Sequence, residues 1–147
     1  MKFSAFKTSY SKEPFTDIQL TDFASIVHDP GKGGSIFTNG ASIVYRIRAT
    51  KDVNIQKQLK QQLPAISPGV QFGRNRQDIY CYTGLMQIDI DYGITDPEAL
   101  RNELGRLSWV MFSSLSVRRG VWVLIKIPEP IRQASYWEKV NDWLSKK

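Results

Sequence analysis

The sequence predicts an α+β fold, a mixed or antiparallel sheet with helices packed on one face. Three observations predict it. Downstream of Pro68 the chain breaks into short runs rich in β-branched and aromatic residues, at Val70–Phe72, Ile79–Tyr82, Leu85–Asp91, Trp109–Ser113 and Val121–Ile127. Between and around these runs, apolar residues recur at helical spacing. Finally, 41% hydrophobic and 23% charged residues give a chain of 147 residues enough apolar material for one core. We therefore read 1–147 as a single domain, with an N-terminal strand, helix and loop over 1–40 and a core over 41–147.

Each element follows from local chemistry. Thr21 precedes Asp22-Phe23-Ala24-Ser25-Ile26-Val27 as the cap of a short helix, and the breaker-rich Asp29-Pro30-Gly31-Lys32-Gly33-Gly34-Ser35 follows as a flexible connector. A lysine in a glycine loop invites a phosphate cradle, but the Gly-x-x-x-x-Gly-Lys-Ser/Thr spacing is missing and no apolar strand leads into it. From Ala41 to Leu63 the pattern fits two helices or one interrupted helix, with Ile43, Val44 and Ile47 on one face and Ile55, Leu59 and Leu63 on the next, until Pro64 and Pro68-Gly69 stop it. Lys57 and Lys60 lie there among glutamines, a solvated surface with contact to nucleic acid as the second reading. Asp96, Pro97 and Glu98 open a helix with Leu100, Leu104 and Leu107 on one side. After Pro128-Glu129-Pro130, an amphipathic helix carries Trp137, Val140 and Leu144. Trp109, Trp122, Trp137 and Trp143 are read as core or half-buried residues.

Several classes of function drop out. No run approaches eighteen apolar residues and the N-terminus lacks the apolar stretch of a signal peptide, so a cytoplasmic protein without a membrane partner is expected. One cysteine, Cys81, and one histidine, His28, make neither an internal disulfide nor a Cys/His zinc site. Neither has an evident partner for nucleophilic catalysis. The net charge of +6 suits an anionic partner.

What remains for chemistry is carboxylates and guanidinium groups. In Ile88-Asp89-Ile90-Asp91 the period of two sends both aspartates to one side of a strand, roughly 7 Å apart, and both isoleucines into the core. Like charges that close repel unless a cation sits between them, and Mg2+ or Mn2+ takes oxygen ligands while keeping waters for a phosphate. Next comes Ser113-Ser114-Leu115-Ser116-Val117-Arg118-Arg119-Gly120, a turn between strands whose hydroxyls and forked donors can surround phosphate oxygens. A metal and a phosphate clamp are the minimum equipment for phosphoryl or nucleotidyl transfer. A third basic cluster, Arg74 and Arg76, precedes Tyr80 and Tyr82, which share a strand face and either pack, the more frequent outcome, or stack on bases.

These residues resemble a known family. The run Leu59-Lys60-Gln61-Gln62-Leu63-Pro64-Ala65-Ile66, then Phe72, then Tyr82-Thr83-Gly84-Leu85-Met86-Gln87-Ile88-Asp89-Ile90-Asp91, then Ser114-Leu115-Ser116-Val117-Arg118-Arg119-Gly120-Val121-Trp122-Val123-Leu124-Ile125-Lys126-Ile127 is similar to the VirE N-terminal domain family of bacterial and mobile-element replication proteins, related to the primase-polymerase superfamily. The resemblance covers residues of about 55–145 and rests on the order of the motifs. It implies an RRM-like primase-polymerase core, with Mg2+ or Mn2+ on Asp89 and Asp91 as catalytic residues. It also implies nucleotide phosphates on Ser114, Ser116, Arg118 and Arg119. Separately, the basic residues Arg74, Arg76, Lys57 and Lys60 are expected to be those that contact a nucleic-acid strand. The implied partners are a nucleoside triphosphate, a DNA or RNA single strand or template, and a helicase or further C-terminal domain. Two departures stand out: Val117 interrupts the family's Ser-Gly-x-Gly turn, and Trp122 stands near the position of a histidine. Active members also carry a third carboxylate on a later strand, so a truncated or minimal relative is expected.

The functional expectation is thus a primase-polymerase-like replication domain, with a non-catalytic single-strand-binding module as its alternative. A metal-dependent nuclease and an interaction domain contacting partners through Asp29–Ser35 remain further readings.

Overall fold

The computed structural model describes residues 1–75, 77–91, 93–128 and 133–145, and gives the backbone alone at 133–137 and 144. Strand β1 (Lys2–Phe6) is buried at Phe3, Ser4, Ala5 and Phe6, which suits only a strand covered on both faces. It accordingly lies in the middle of an antiparallel sheet, between β2 (Thr16–Gln19) and β3 (Ala65–Ser67). Ser4 is fully buried and satisfied: its hydroxyl donates to Asp17 Oδ1 at 2.8 Å and accepts the Phe72 amide at 2.9 Å. That second bond ties β4 (Val70–Phe72) to the first sheet, and β4 pairs with β5 (Ile79–Tyr82) as a separate two-stranded hairpin.

The helices of the first half depart from expectation at their starts. Helix α1 (Leu20–His28) follows β2 directly, so Thr21 lies inside its first turn and caps nothing. The glycine loop has regular structure of its own. Pro30–Gly33 forms a 3-10 turn that Asp29 closes by accepting the Gly31 amide at 3.2 Å. Helix α2 (Ser35–Ala49) then begins well before Ala41, because half-buried Phe37 packs on the core and Gly40 fits against Pro64, where a Cβ would stand 3.0 Å from Cδ. Tertiary packing here outweighs the low helix propensity of glycine. The chain turns at Thr50–Asp52 into α3 (Val53–Gln61), capped by Asp52 through the amides of Asn54 and Ile55 at 2.8 and 3.2 Å. Of the two readings for this region, two helices is the one realised. Gln56 locks the corner by donating to the carbonyls of Thr50 and Ile47 at 2.8 and 3.3 Å.

The third sheet has the order β6 (Leu85–Ile90), β8 (Val121–Lys126), β7 (Val110–Leu115), and every pairing is antiparallel. Alternation splits its residues between two cores. Met86, Ile88, Val121, Val123 and Ile125 pack with Leu104 of α4 (Pro97–Leu104) and Val140 of α5 (Gln133–Leu144). Asp96 caps α4 as predicted, accepting the Ala99 amide at 3.0 Å. On the opposite face Leu85, Phe112 and Trp122 meet Phe3, Ile18 and Phe23 from the N-terminal half. The fold class is α+β, but the arrangement corrects the expected single sheet covered on one face. There are three small antiparallel sheets among the described residues, and the one holding the aspartates is covered on both sides because β8 is apolar throughout except at Lys126. Trp109, Trp122 and Trp143 are half-buried, as expected, whereas the side chains of Trp137 and Leu144 lie outside the described residues. Among the described residues no helix is long and apolar enough to cross a membrane.

Candidate functional site

Asp89 stands opposite Trp122 on β8, and Trp122 stands opposite Ser114 on β7, so the three side chains share one face of the sheet in a single row. The ladder ends where Ile90 pairs with Val121, and carrying its alternation one residue further turns Asp91 toward that same face, beside Gly120. A Cβ built on Gly120 would lie 2.7 Å from Asp91 Oδ1 and 3.1 Å from Ser116 Oγ. A carboxylate and a hydroxyl therefore converge over a glycine that leaves them room.

The turn from Ser116 to Gly120 is built by its own backbone. The Ser116 amide donates to the Gly120 carbonyl at 2.8 Å, the Arg119 amide donates to the Ser116 carbonyl at 3.0 Å, and the Gly120 amide donates to Ser116 Oγ at 3.0 Å. Arg119 takes the left-handed conformation, with φ of 66°, that closes such a hairpin. The side chains of Arg118 and Arg119 are exposed beyond it. Of the three hydroxyls, Ser113 is the one directed away from the aspartates, donating to the Arg101 carbonyl of α4 at 3.1 Å.

Helices α2 and α3 complete the surroundings. Arg48, a residue the sequence reading missed, forks onto the turn through Nε to the Val117 carbonyl at 3.2 Å and Nη2 to the Ser116 carbonyl at 3.0 Å. Its position in the last turn of a helix, far back in the sequence, carried no signal of that contact. Lys60 on α3 stands close enough to Asp89 for its charge to be felt there. Asp89 is exposed as a residue, yet its carboxyl is held above the ordinary carboxylate range. Loss of water around it is the main cause and the neighbouring Asp91 the second, with Lys60 opposing both.

The remaining predicted residues fall elsewhere. Lys57 shares a surface cleft with Lys60. Arg74 is exposed on the turn joining β4 and β5, where its amide donates to Asp78 Oδ2 at 2.9 Å, and Arg76 lies outside the described residues. Tyr80 and Tyr82 correct the packing expectation, being 76% and 65% exposed on the two-stranded hairpin. Trp122, at the position where the resemblance leads one to look for a histidine, is a packing residue, edge-on to Phe23 and Phe112 at 5.8 Å each.

The donor set suits a hard divalent cation. Two carboxylates, with Asp91 disfavouring the charge of Asp89, could supply oxygen ligands and leave coordination positions for water and phosphate. No group of three or more potential metal ligands is present among the described residues. No family model, curated protein or solved structure matches the chain.

Proposed function

We propose that the chain is a primase-polymerase-like replication domain in which Asp89 and Asp91 hold Mg2+ or Mn2+ and the Ser114–Gly120 turn receives the phosphates of a nucleoside triphosphate. The observation that carries this reading is the convergence of Asp91 and Ser116 over Gly120, two residues along the chain from Asp89. The metal, when bound, would offset the charge of the triphosphate and acidify an attacking hydroxyl. Ser116 and Ser114 offer short hydrogen bonds, Arg118 and Arg119 supply forked donors to phosphate oxygens, and Arg48 fixes the turn that carries them. Thermal unfolding with manganese and a nucleoside triphosphate tests the proposal. Binding at a hundredfold excess over Kd stabilises by about 2.7 kcal/mol, and the gain is lost in D89N/D91N. An unchanged midpoint at millimolar ligand would discard the site.

The exposure of Tyr80 and Tyr82 favours a second reading, a non-catalytic module that stacks single-stranded nucleic acid on its aromatic residues. It requires that strand binding survive D89N/D91N in a folded protein.

A further inference from the structure

Among the described residues, the outer strands of the three sheets are guarded against pairing with another chain, with one exception. Strand β2 carries Asp17 and β6 carries Asp89, β3 is bracketed by Pro64 and Pro68, β7 has α4 packed against it, and β4 is tied to β1 through the Ser4–Phe72 bond. Strand β5 pairs with β4 on one side and with no strand on the other. It reads Ile79-Tyr80-Cys81-Tyr82, without a charge or a proline, and its three large side chains are all exposed. Its one guard is a bulge.

The backbone of that edge is open as well. The Thr83 amide donates to the Gly69 carbonyl at 3.1 Å. Bonded and non-bonded pairs alternate along an antiparallel ladder, so Cys81 spends its backbone groups on Gln71, and those of Tyr82, opposite Val70, turn to the outer side. Beyond Cys81 the register shifts and leaves Tyr80 as the extra residue of the bulge, without a partner on β4.

The segment is also its own complement. Tyr80-Cys81-Tyr82 reads the same in both directions, so a two-fold axis at Cys81 sets Tyr80 opposite Tyr82 of a second copy and Cys81 opposite its equivalent. Two chains of charge +6 repel each other over most of their surface, and this neutral strand is a place where they can meet. In that register the two Cys81 residues form a non-bonded pair with Cα atoms about 4.5 Å apart, within the roughly 4.4–6.8 Å that a disulfide spans.

We propose that β5 is a self-association edge, to which a second copy of this chain adds its own β5 antiparallel about Cys81, joining two hairpins into one sheet. Four residues a side bury far less than the roughly 1,200 Å² of a standing complex, so the dimer is weak and reversible. The inference is independent of the reading of Asp89 and Asp91.

Sedimentation velocity in reductant, from about 10 µM to about 1 mM, tests it: the native chain is expected to move from 16.8 kDa toward twice that mass. Y80K/Y82K, whose introduced charges would face one another across the ladder, is expected to associate about tenfold more weakly, and Y80E/Y82E likewise. Mixing those two variants should restore the dimer. A copper oxidant, which takes two electrons and the two thiol protons as the S–S bond forms, should convert the native chain to a dimer that reductant reverses. Y80K/Y82K should resist this conversion although its thiol reacts with a small disulfide reagent as the native one does. Both tyrosines are on the surface, and circular dichroism confirms that the variants fold. The proposal is overturned if the native chain keeps its single-chain mass over the whole range, if Y80K/Y82K associates as the native chain does, or if mixing the oppositely charged variants restores nothing. It is overturned equally if Y80A/Y82A leaves association unchanged and weakens only the binding of an oligothymidylate.

Discussion

The carboxylate of Asp91 lies over Gly120, and the absence of a side chain there is what permits it. A Cβ at Gly120 would stand 2.7 Å from Asp91 Oδ1 and 2.5 Å from the Ile90 carbonyl. The glycine is needed for space, since its φ is not among the positive ones.

G120A tests that relationship. Asp91 could swing aside, but the Ile90 carbonyl can retreat only by opening the pairing of β6 with β8. Urea unfolding should show a loss of about 1–3 kcal/mol. Manganese affinity should fall as well, because Asp91 is displaced. A variant as stable as the native chain would mean that the two strands are not in this register.

The raised pKa of Asp89 gives a pH dependence with a definite sign. The folded chain holds a proton on Asp89 at pH values where the unfolded chain has released it, so stability falls as pH rises through the window from the ordinary carboxylate range, about 4, up to the raised value. Above that window the ionised group is a constant burden. D89N should therefore be more stable than the native chain at neutral pH, and the difference should vanish in acid below the ordinary range. D91N should bring the Asp89 titration, followed by carboxyl NMR, to lower pH, and K60A should move it higher.

Arg119 occupies a left-handed conformation that costs a non-glycine residue roughly 1 kcal/mol. R119G is expected to raise stability by about that amount and to weaken triphosphate binding, whereas R119V should lower both. Chemical denaturation and nucleotide titration on the same variants separate the two effects. A neutral R119G would show that the hairpin does not hold this backbone geometry in solution.

Arg48 holds the turn from outside. R48A should cost about 0.5–1 kcal/mol, modest because both hydrogen bonds are open to water, and should speed hydrogen exchange at the Arg119 and Gly120 amides. R48K keeps the charge but loses the fork, so exchange should stay fast.

How much of this was legible depended on the range of the interaction. The strands from Val70 to Lys126 and the Asp96 cap could be read because alternation, proline and capping chemistry act over a few residues. The shared face of Asp89 and Asp91 followed from the same period of two. The start of α2 was not legible, because Gly31, Gly33, Gly34 and Gly40 signal a loop while the opposing vote comes from Pro64 and the core. Nor was the central place of β1, which depends on partners at Thr16–Gln19 and Ala65–Ser67. The Arg48 contact with the turn, the influence of Lys60 on Asp89 and the exposure of Tyr80 and Tyr82 are products of how distant elements dock, which no local pattern carries.

The order β6-β8-β7 also bears on how the chain is made. Strand β6 pairs with a segment synthesised some thirty residues later, at Val121–Lys126. During translation Leu85, Met86 and Ile88 must emerge from the ribosome with no ladder to join, the circumstance in which apolar strands stick to one another. Two negative charges at the end of that segment act as gatekeepers against such association. Asn replacements at both positions would then leave a nascent chain more prone to inclusion bodies, even where the finished protein is the sturdier one.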